Sequence, residues 1–329
     1  MAEQQIIADS LTKVFRVPIR KTGLVAAFSS LGKRKYEEVN AVQNVSFSIE
    51  RGEMVGFIGP NGAGKTTTLK MLAGLLHPSS GTARVAGFVP WERKNDFLRQ
   101  ISMVLGNKSQ MLWDIPPLET FRVLAEIYRV PNSEYNQTLD ELVTMLEMQS
   151  LLTRPVRTFS LGERMKCELV AGLIFRPAVL FLDEPTLGLD TLMQVRLREF
   201  ISQYNRLYGA TIILTSHYMA DVLALCPRVI LIHHGKLLYS GPLTQLSDRL
   251  APYKLIKISL SGSDNILPDL ADKVEILENV DGRLTLRVGR DEAPALTSYL
   301  LNSLPITDLA VEDPPLEAVI DRIYREETI

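Results

Sequence analysis

The 329-residue chain is poor in cysteine, in net charge and in long apolar runs, and each shortage closes off a class of function. Cys167 and Cys226 are its only thiols. Two are too few for a disulfide framework, and no metal-ligand spacing surrounds either, so both are expected to be buried and inert in a reducing cytosol. Lys and Arg number 36 against 38 Asp and Glu. That balance argues against a protein that blankets nucleic acid with positive charge, and no nucleic-acid partner is expected. The longest apolar stretches, 169–175 and 179–182, suit buried helices or strands rather than a membrane span. The opening residues, MAEQQIIADS, have neither the basic start nor the apolar middle of a secretory signal. What is present is 46% hydrophobic and 22% charged residues, an ordinary folded composition, in a chain long enough for a large domain and a small one.

Charge is distributed unevenly. Residues 16–35 carry Arg16, Arg20, Lys21, Lys33, Arg34 and Lys35 and no acid, whereas residues 264–329 carry 15 acids against 6 bases. Within the basic segment Leu24, Phe28 and Leu31 recur on one face of a short helix closed by Gly32. Val45–Ile49 alternates as a half-buried strand, Met54–Ile58 reads as a buried one, and 66–76 reads as a helix ended by His77-Pro78. Helical patterns dominate 112–175, with Phe121, Leu124, Ala125 and Tyr128 on one face and Leu139, Leu142, Val143 and Leu146 on another. Short apolar runs at 178–182, 211–214 and 228–232, separated by helical segments, indicate a parallel sheet with crossovers. After Gly241-Pro242 the style changes again. Ile256, Ile258 and Leu260 alternate, and 274–277 and 284–288 flank the turn signal Asp281-Gly282. Helical stretches follow around 293–303 and 315–327. Residues 1–245 are therefore expected to form one domain, with a basic insertion at 16–38 and a helical subdomain at about 110–175. Residues 246–329 are expected to form an accessory α+β domain.

Four motifs carry chemistry. Gly59-Pro60-Asn61-Gly62-Ala63-Gly64-Lys65-Thr66 fits G-x-x-x-x-G-K-[ST] between a strand and a helix, with Thr67 following in that helix. Glycines let successive N–H groups turn inward toward phosphate oxygens, and the helix start adds its positive end. Lys65 supplies a point charge and Thr66 a hydroxyl for Mg²⁺. Val179–Asp183 with Glu184 places two carboxylates at the end of an apolar strand, Asp183 to hold Mg²⁺ and Glu184 to orient and polarise an attacking water. Phe159-Ser160-Leu161-Gly162-Glu163 precedes an amphipathic helix. Its Ser hydroxyl and Gly amide make a second anion site, although an ordinary helix cap has the same residues. Leu214-Thr215-Ser216-His217 ends a strand in a polar switch, and His217 can donate to a phosphate oxygen.

In this order the motifs resemble the ATP-binding cassette (ABC) ATPase family over residues 1 to about 245. Gly59–Thr66 resembles its Walker A motif and Val179–Glu184 its Walker B. Phe159–Glu163 resembles the signature motif, Leu187-Gly188-Leu189-Asp190 the D-loop, and His217 the switch histidine. Two departures stand out: Leu161 replaces the first glycine of the usual L-S-G-G-Q, and Glu163 replaces its glutamine. The resemblance implies an α/β P-loop NTPase fold, with a mixed sheet core of parallel strands, an antiparallel β region and a helical subdomain, beside the C-terminal α+β domain. It implies catalytic roles for Glu184, His217 and Lys65 and ATP and Mg²⁺ as ligands, with Thr66, Asp183 and Gln110 toward the metal. After the strand 101–105 the family's Gln is matched by Gln110 in chemistry and by Asn107 in spacing. Phe15 and Tyr36 are the two candidates for stacking on adenine.

The family's cassettes pack head to tail, so that Ser160 and Gly162 of this chain would cover ATP held by its partner, a second copy or a homologous cassette subunit. Lacking a span of its own, the chain would need integral membrane permease subunits, docked near the loop that carries Asn107 and Gln110 and near the helical region 110–158. It would sit at the cytoplasmic face of the inner membrane, energising an exporter. Weaker likenesses at 108–117, 165–169 and 312–317 point to an exporter-type subgroup. The competing readings are a soluble cassette ATPase acting on nucleic acid or ribosomes, and a non-hydrolysing ATP-binding scaffold.

Overall fold

The computed structural model describes residues 3–18, 36–106, 108–216, 218–250, 253–261, 274–280, 282–315, 318–320 and 324. The expected short helix at 24–31 lies outside them, as do Asn107 and His217. The chain divides into two compact units, 1–241 and 242–329.

In the first unit β1 (Gln4–Pro18) lies between β2 (Tyr36–Glu50) and β4 (Ser80–Val85) in an antiparallel sheet. A second sheet runs β5-β6-β7-β3-β8-β9, from β3 (Met54–Ile58), β5 (Ile101–Leu105), β6 (Val179–Asp183), β7 (Thr211–Thr215), β8 (Arg228–His233) and β9 (Lys236–Pro242). Strands β5, β6, β7, β3 and β8 pair in parallel. All five residues of β6 and of β7 are buried, as continuous rather than alternating apolar runs require when both faces of a sheet are covered. One core joins the two sheets: Ile6, Leu11, Val45, Phe57, Leu69, Phe97, Phe181 and Ile230 belong to it.

The helices are α1 (Lys65–Leu72), α2 (Asn95–Leu98), α3 (Pro117–Tyr128), α4 (Asn132–Met145), α5 (Leu161–Leu173), α6 (Thr191–Tyr208) and α7 (Met219–Leu225). Helix α1 stops four residues short of the expected end. Gly74 adopts φ +68°, and a side chain there would meet the Pro90 carbonyl at 2.3 Å, so the backbone turns away where only glycine fits. Helices α3 to α5 form the expected helical region.

The second unit begins with α8 (Leu243–Leu250) and builds an antiparallel sheet of order β11-β12-β10-β13. Its strands are β10 (Tyr253–Leu260), β11 (Glu275–Val280), β12 (Arg283–Gly289) and β13 (Ile306–Glu312), with α9 (Ala293–Ser303) between the last two in sequence. Ile256, Ile258, Leu284, Leu286, Val288 and Leu300 form its core. Strand β13 is not foreseen in the sequence, because Thr307 and Asp308 break its apolar alternation. Of the expected helix at 315–327, residues 315, 318–320 and 324 are described, and all but 315 are helical.

Candidate functional site

The parallel strands deliver the motif residues to their C-terminal ends, where an open α/β sheet leaves a crevice. After β3 the chain turns through Gly59–Gly64 into α1. Two glycines there are dictated by space. A Cβ on Gly59 would lie 2.4 Å from the Ile232 carbonyl, and one on Gly64, at φ +107°, would lie 2.5 Å from the Ala41 carbonyl. Pro60, Asn61, Gly62 and Ala63 complete the loop, with Asn61 and Gly62 exposed at its tip. The first intrahelical bond of α1 is Thr68 N–H to Gly64 O at 2.9 Å. The N–H groups of Lys65, Thr66 and Thr67 therefore precede it and have no acceptor within the helix, the arrangement that attracts an anion.

Lys65 folds back over the loop, its Nζ donating to the carbonyls of Gly59 (2.6 Å) and Pro60 (3.1 Å). Burial pulls its ammonium below the usual lysine range, and the neighbouring Glu184 and Asp183 carboxylates work against that pull. Thr66 Oγ1 donates to Asp183, 2.9 and 3.1 Å from its two oxygens, and Thr215 Oγ1 donates to Asp183 Oδ1 at 2.7 Å. Thr215 also accepts from the Glu184 N–H, at Oγ1 and at its carbonyl, both 3.1 Å. Glu184 has φ +55°, a left-handed conformation uncommon for a residue with a side chain. Gly106 makes room for it: its N–H donates to Asp183 O at 2.9 Å, and a Cβ there would lie 2.2 Å from Glu184 O.

These oxygen donors fit a hard divalent cation. A hydroxyl and a carboxylate lie side by side, and among the described residues no group of three His, Cys, Asp or Glu forms an all-protein cage. Mg²⁺ characteristically takes one or two carboxylates and completes its shell with phosphates and water.

Ser160 caps α5. Its hydroxyl accepts from the Glu163 N–H at 3.2 Å, while the Glu163 carboxylate accepts from the Ser160 N–H at 2.8 Å, a reciprocal capping box. Glutamate in place of the family's glutamine thus completes a helix start. Leu161 is exposed and reaches 3.1 Å from where a Gly188 side chain would stand, and a Cβ on Gly162 would lie 3.1 Å from Met193. Asp190 caps α6 by accepting from the Met193 N–H at 2.9 Å. Asp221, fully buried, ties the neighbouring loops together. It accepts from Thr186 (2.5 Å), Ser216 (2.7 Å) and Arg198 (3.1 Å).

The remaining candidates separate. The hydrogen bonds described for Gln110 run from its N–H to Glu168, not to Asp183 or Thr66. It lines a groove of about 430 Å³ with Arg93, Arg99, Met103, Tyr128 and Phe175. Tyr128 and Phe175 stack there at 3.7 Å. Phe15 pairs with Val39, two residues from the Ala41 that abuts the phosphate loop, whereas Tyr36 pairs with Pro18 at the far end of the β1–β2 ribbon. Sequence reading assigned no role to Thr215, Gly106, Glu168 or Asp221. Thr215 lies in the strand before His217 and Glu168 in the 165–169 likeness, whereas Gly106 and Asp221 carry no local signal.

The fold and this loop define a phosphate-loop nucleotide-binding protein. A sequence profile described as "ABC transporter" matches residues 42–187, and one described as "EvrA-like ABC transporter, C-terminal domain" matches 252–312. The ABC transporter ATP-binding protein NatA of Bacillus subtilis (strain 168) is 37% identical over 64% of this chain and 86% of its own length. The linearmycin resistance ATP-binding protein LnrL of the same organism is 29% identical over 87% and 94% respectively. Among solved structures, an ATP-binding subunit of an ABC transporter superposes with a TM-score of 0.62 at 26% identity, covering 74% of this chain and 92% of that one. A dimeric ATP-binding cassette in a post-hydrolysis state with ADP and Pi gives 0.60 at 21%, covering 72% and 98%. The chain belongs to the ATP-binding cassette ATPases of ABC transporters. Among its described residues no helix is long and apolar enough to cross a membrane.

Proposed function

We propose that this chain energises an exporter by closing a head-to-tail dimer on ATP and opening it on hydrolysis. The observation that carries this reading is the contact of Thr66, Asp183 and Thr215 beside the phosphate loop, with Glu184 fixed next to it. The loop N–H groups and Lys65 take the phosphates, Lys65 exchanging the carbonyls of Gly59 and Pro60 for phosphate oxygens. Thr66 and Asp183 would hold Mg²⁺, which supplies charge neutralisation at the phosphates when bound. Glu184 orients water and takes its proton. His217, which matches the family's switch histidine, would donate to the outer phosphate. Phe15 is the better placed of the two aromatics to stack on adenine, because it lies nearer the phosphate loop along the ribbon.

All of these groups approach the triphosphate from one side. Ser160 and Gly162, exposed or partly so at the start of α5, supply donors for a nucleotide held by a second copy. The groove containing Gln110, Tyr128 and Phe175 suits a permease helix, its apolar and aromatic floor ringed by Arg93, Arg99 and Arg129. Such docking would hold the chain at the cytoplasmic membrane face. Relatives named for linearmycin and doxorubicin resistance support export as the direction. The test is Glu184→Gln. The purified variant should lose turnover while ATP drives it from monomer to dimer by light scattering, and a strictly monomeric variant at saturating ATP would refute the reading.

A further inference from the structure

The loop 108–113 lies at the meeting point of three structures. Just before it, Gly106 is pinned against the backbone of Asp183 and Glu184. The loop's middle, Gln110, faces the groove. Its end is held by α5, the helix that begins at Ser160. The Glu168 carboxylate accepts from Ser109 Oγ (2.5 Å) and from the Gln110 N–H, 3.0 Å to each oxygen. Ser109 Oγ in turn accepts from the Met111 N–H at 3.1 Å. One turn earlier on the same face, the Arg164 guanidinium lies 4.5 Å over the Trp113 ring.

Glu168 is 4% exposed. A carboxylate at that depth is costly unless its lone pairs are met, and every hydrogen bond described for it comes from this one loop. An apolar residue would serve the helix core at less cost, so the loop contact is what the glutamate adds. Helix α5 is fit to transmit a displacement. Met165, Leu169, Val170 and Leu173 are buried along it, and its first turn is locked by the capping box. Ser160 stands eight residues before Glu168, about 12 Å along the axis.

We infer that Glu168 is a positioning residue. It makes the groove-side loop 109–113 and the Ser160–Gly162 lid move as one body, so that whatever occupies the groove sets how the lid meets the nucleotide of the neighbouring copy. This rests on the dimer reading above.

The test compares Glu168→Ala and the near-isosteric Glu168→Gln, each added to full-length Glu184→Gln. Glu168→Ala should raise the ATP concentration for half-maximal dimerisation about tenfold, the scale of a lost hydrogen-bonded charge. Glu168→Gln, which keeps an acceptor oxygen for the Gln110 N–H, should recover part of that shift. Binding of a fluorescent ATP analogue to the dilute monomer should stay within about twofold of the parent, because the phosphate loop is untouched. Dimerisation of Glu168→Ala at the parent's ATP concentration overturns the inference. So does a monomer affinity that falls in step with dimerisation, since that marks a general structural defect. Should Glu168→Ala fail to fold, Trp113→Ala removes the exposed half of the same clamp and must shift the half-point in the same direction; no shift there overturns the inference as well. If the Glu184→Gln parent never dimerises, the dimer reading itself falls, an outcome distinct from a dimerising parent that is indifferent to Glu168.

Discussion

Thr66 and Asp183, 117 residues apart in sequence, share a 2.9 Å hydrogen bond that joins the first turn of α1 to the end of β6. Residues that would jointly hold a cation are thus already adjacent, and little rearrangement is needed to admit it. Thr215 braces the same carboxylate from β7 at 2.7 Å, leaving Asp183 limited freedom to turn away.

Replacing Asp183 with Asn leaves the phosphate loop and Lys65 intact but removes the charge beside Thr66. ATP binding measured in EDTA should change by less than about threefold, whereas Mg²⁺-dependent phosphate release should fall about a hundredfold or more. Equal losses in both measurements would show that Asp183 supports the loop rather than the metal.

Asp221 illustrates a different dependence. Its carboxylate is fully buried, and Arg198 beside it is mostly so. Truncation to Ala leaves a guanidinium without its counter-charge and strands the hydroxyls of Thr186 and Ser216. Asp221→Ala should lose about 3–5 kcal/mol of stability in urea unfolding. Asp221→Asn keeps an acceptor oxygen and should lose less. A loss within 0.5 kcal/mol, the range of an ordinary surface change, would contradict the network's structural role.

Burial pushes the thiols of Cys167 and Cys226 up to about 12. At pH 9 only ~0.1% of either would be thiolate, so raising the pH from 7 to 9 should leave native labelling by a maleimide slow. Both should react at once in denaturing guanidinium. Rapid labelling of one thiol in native protein would mark a local opening of α5 or of the turn after α7.

Much of this could be read from the chain itself. Apolar runs such as 178–182 and 211–214 identify buried parallel strands because no other element tolerates them so briefly, and the phosphate loop is legible because its glycines answer to local backbone geometry. What escaped reading depends on proximity across the sheet. Gly106 is unremarkable in sequence, and its lack of a side chain matters only because Glu184 arrives from β6. Glu168 reads as one more charge on an amphipathic helix until the loop at 109–111 closes over it. Gln110 matches a family residue by type, yet its position in the groove follows from that same closure.

For the proposed adenine contact, strand register favours Phe15 over Tyr36. Both lie on the β1–β2 ribbon, and both expose their rings. Ala41 fixes the near end of the ribbon, since its carbonyl abuts Gly64. Phe15 stands opposite Val39, whereas Tyr36 is five residues from Ala41, about 17 Å along an extended strand. A base attached to phosphates in the loop can reach the first ring more readily than the second. Stacking of a base on an aromatic ring contributes about 1–3 kcal/mol. Phe15→Ala should therefore weaken ATP binding about tenfold, and Phe15→Tyr should restore it. Tyr36→Ala should change affinity by less than about twofold. Titration with a fluorescent ATP analogue separates the outcomes, and a larger loss for Tyr36→Ala would require the ribbon to fold back toward the loop when nucleotide binds.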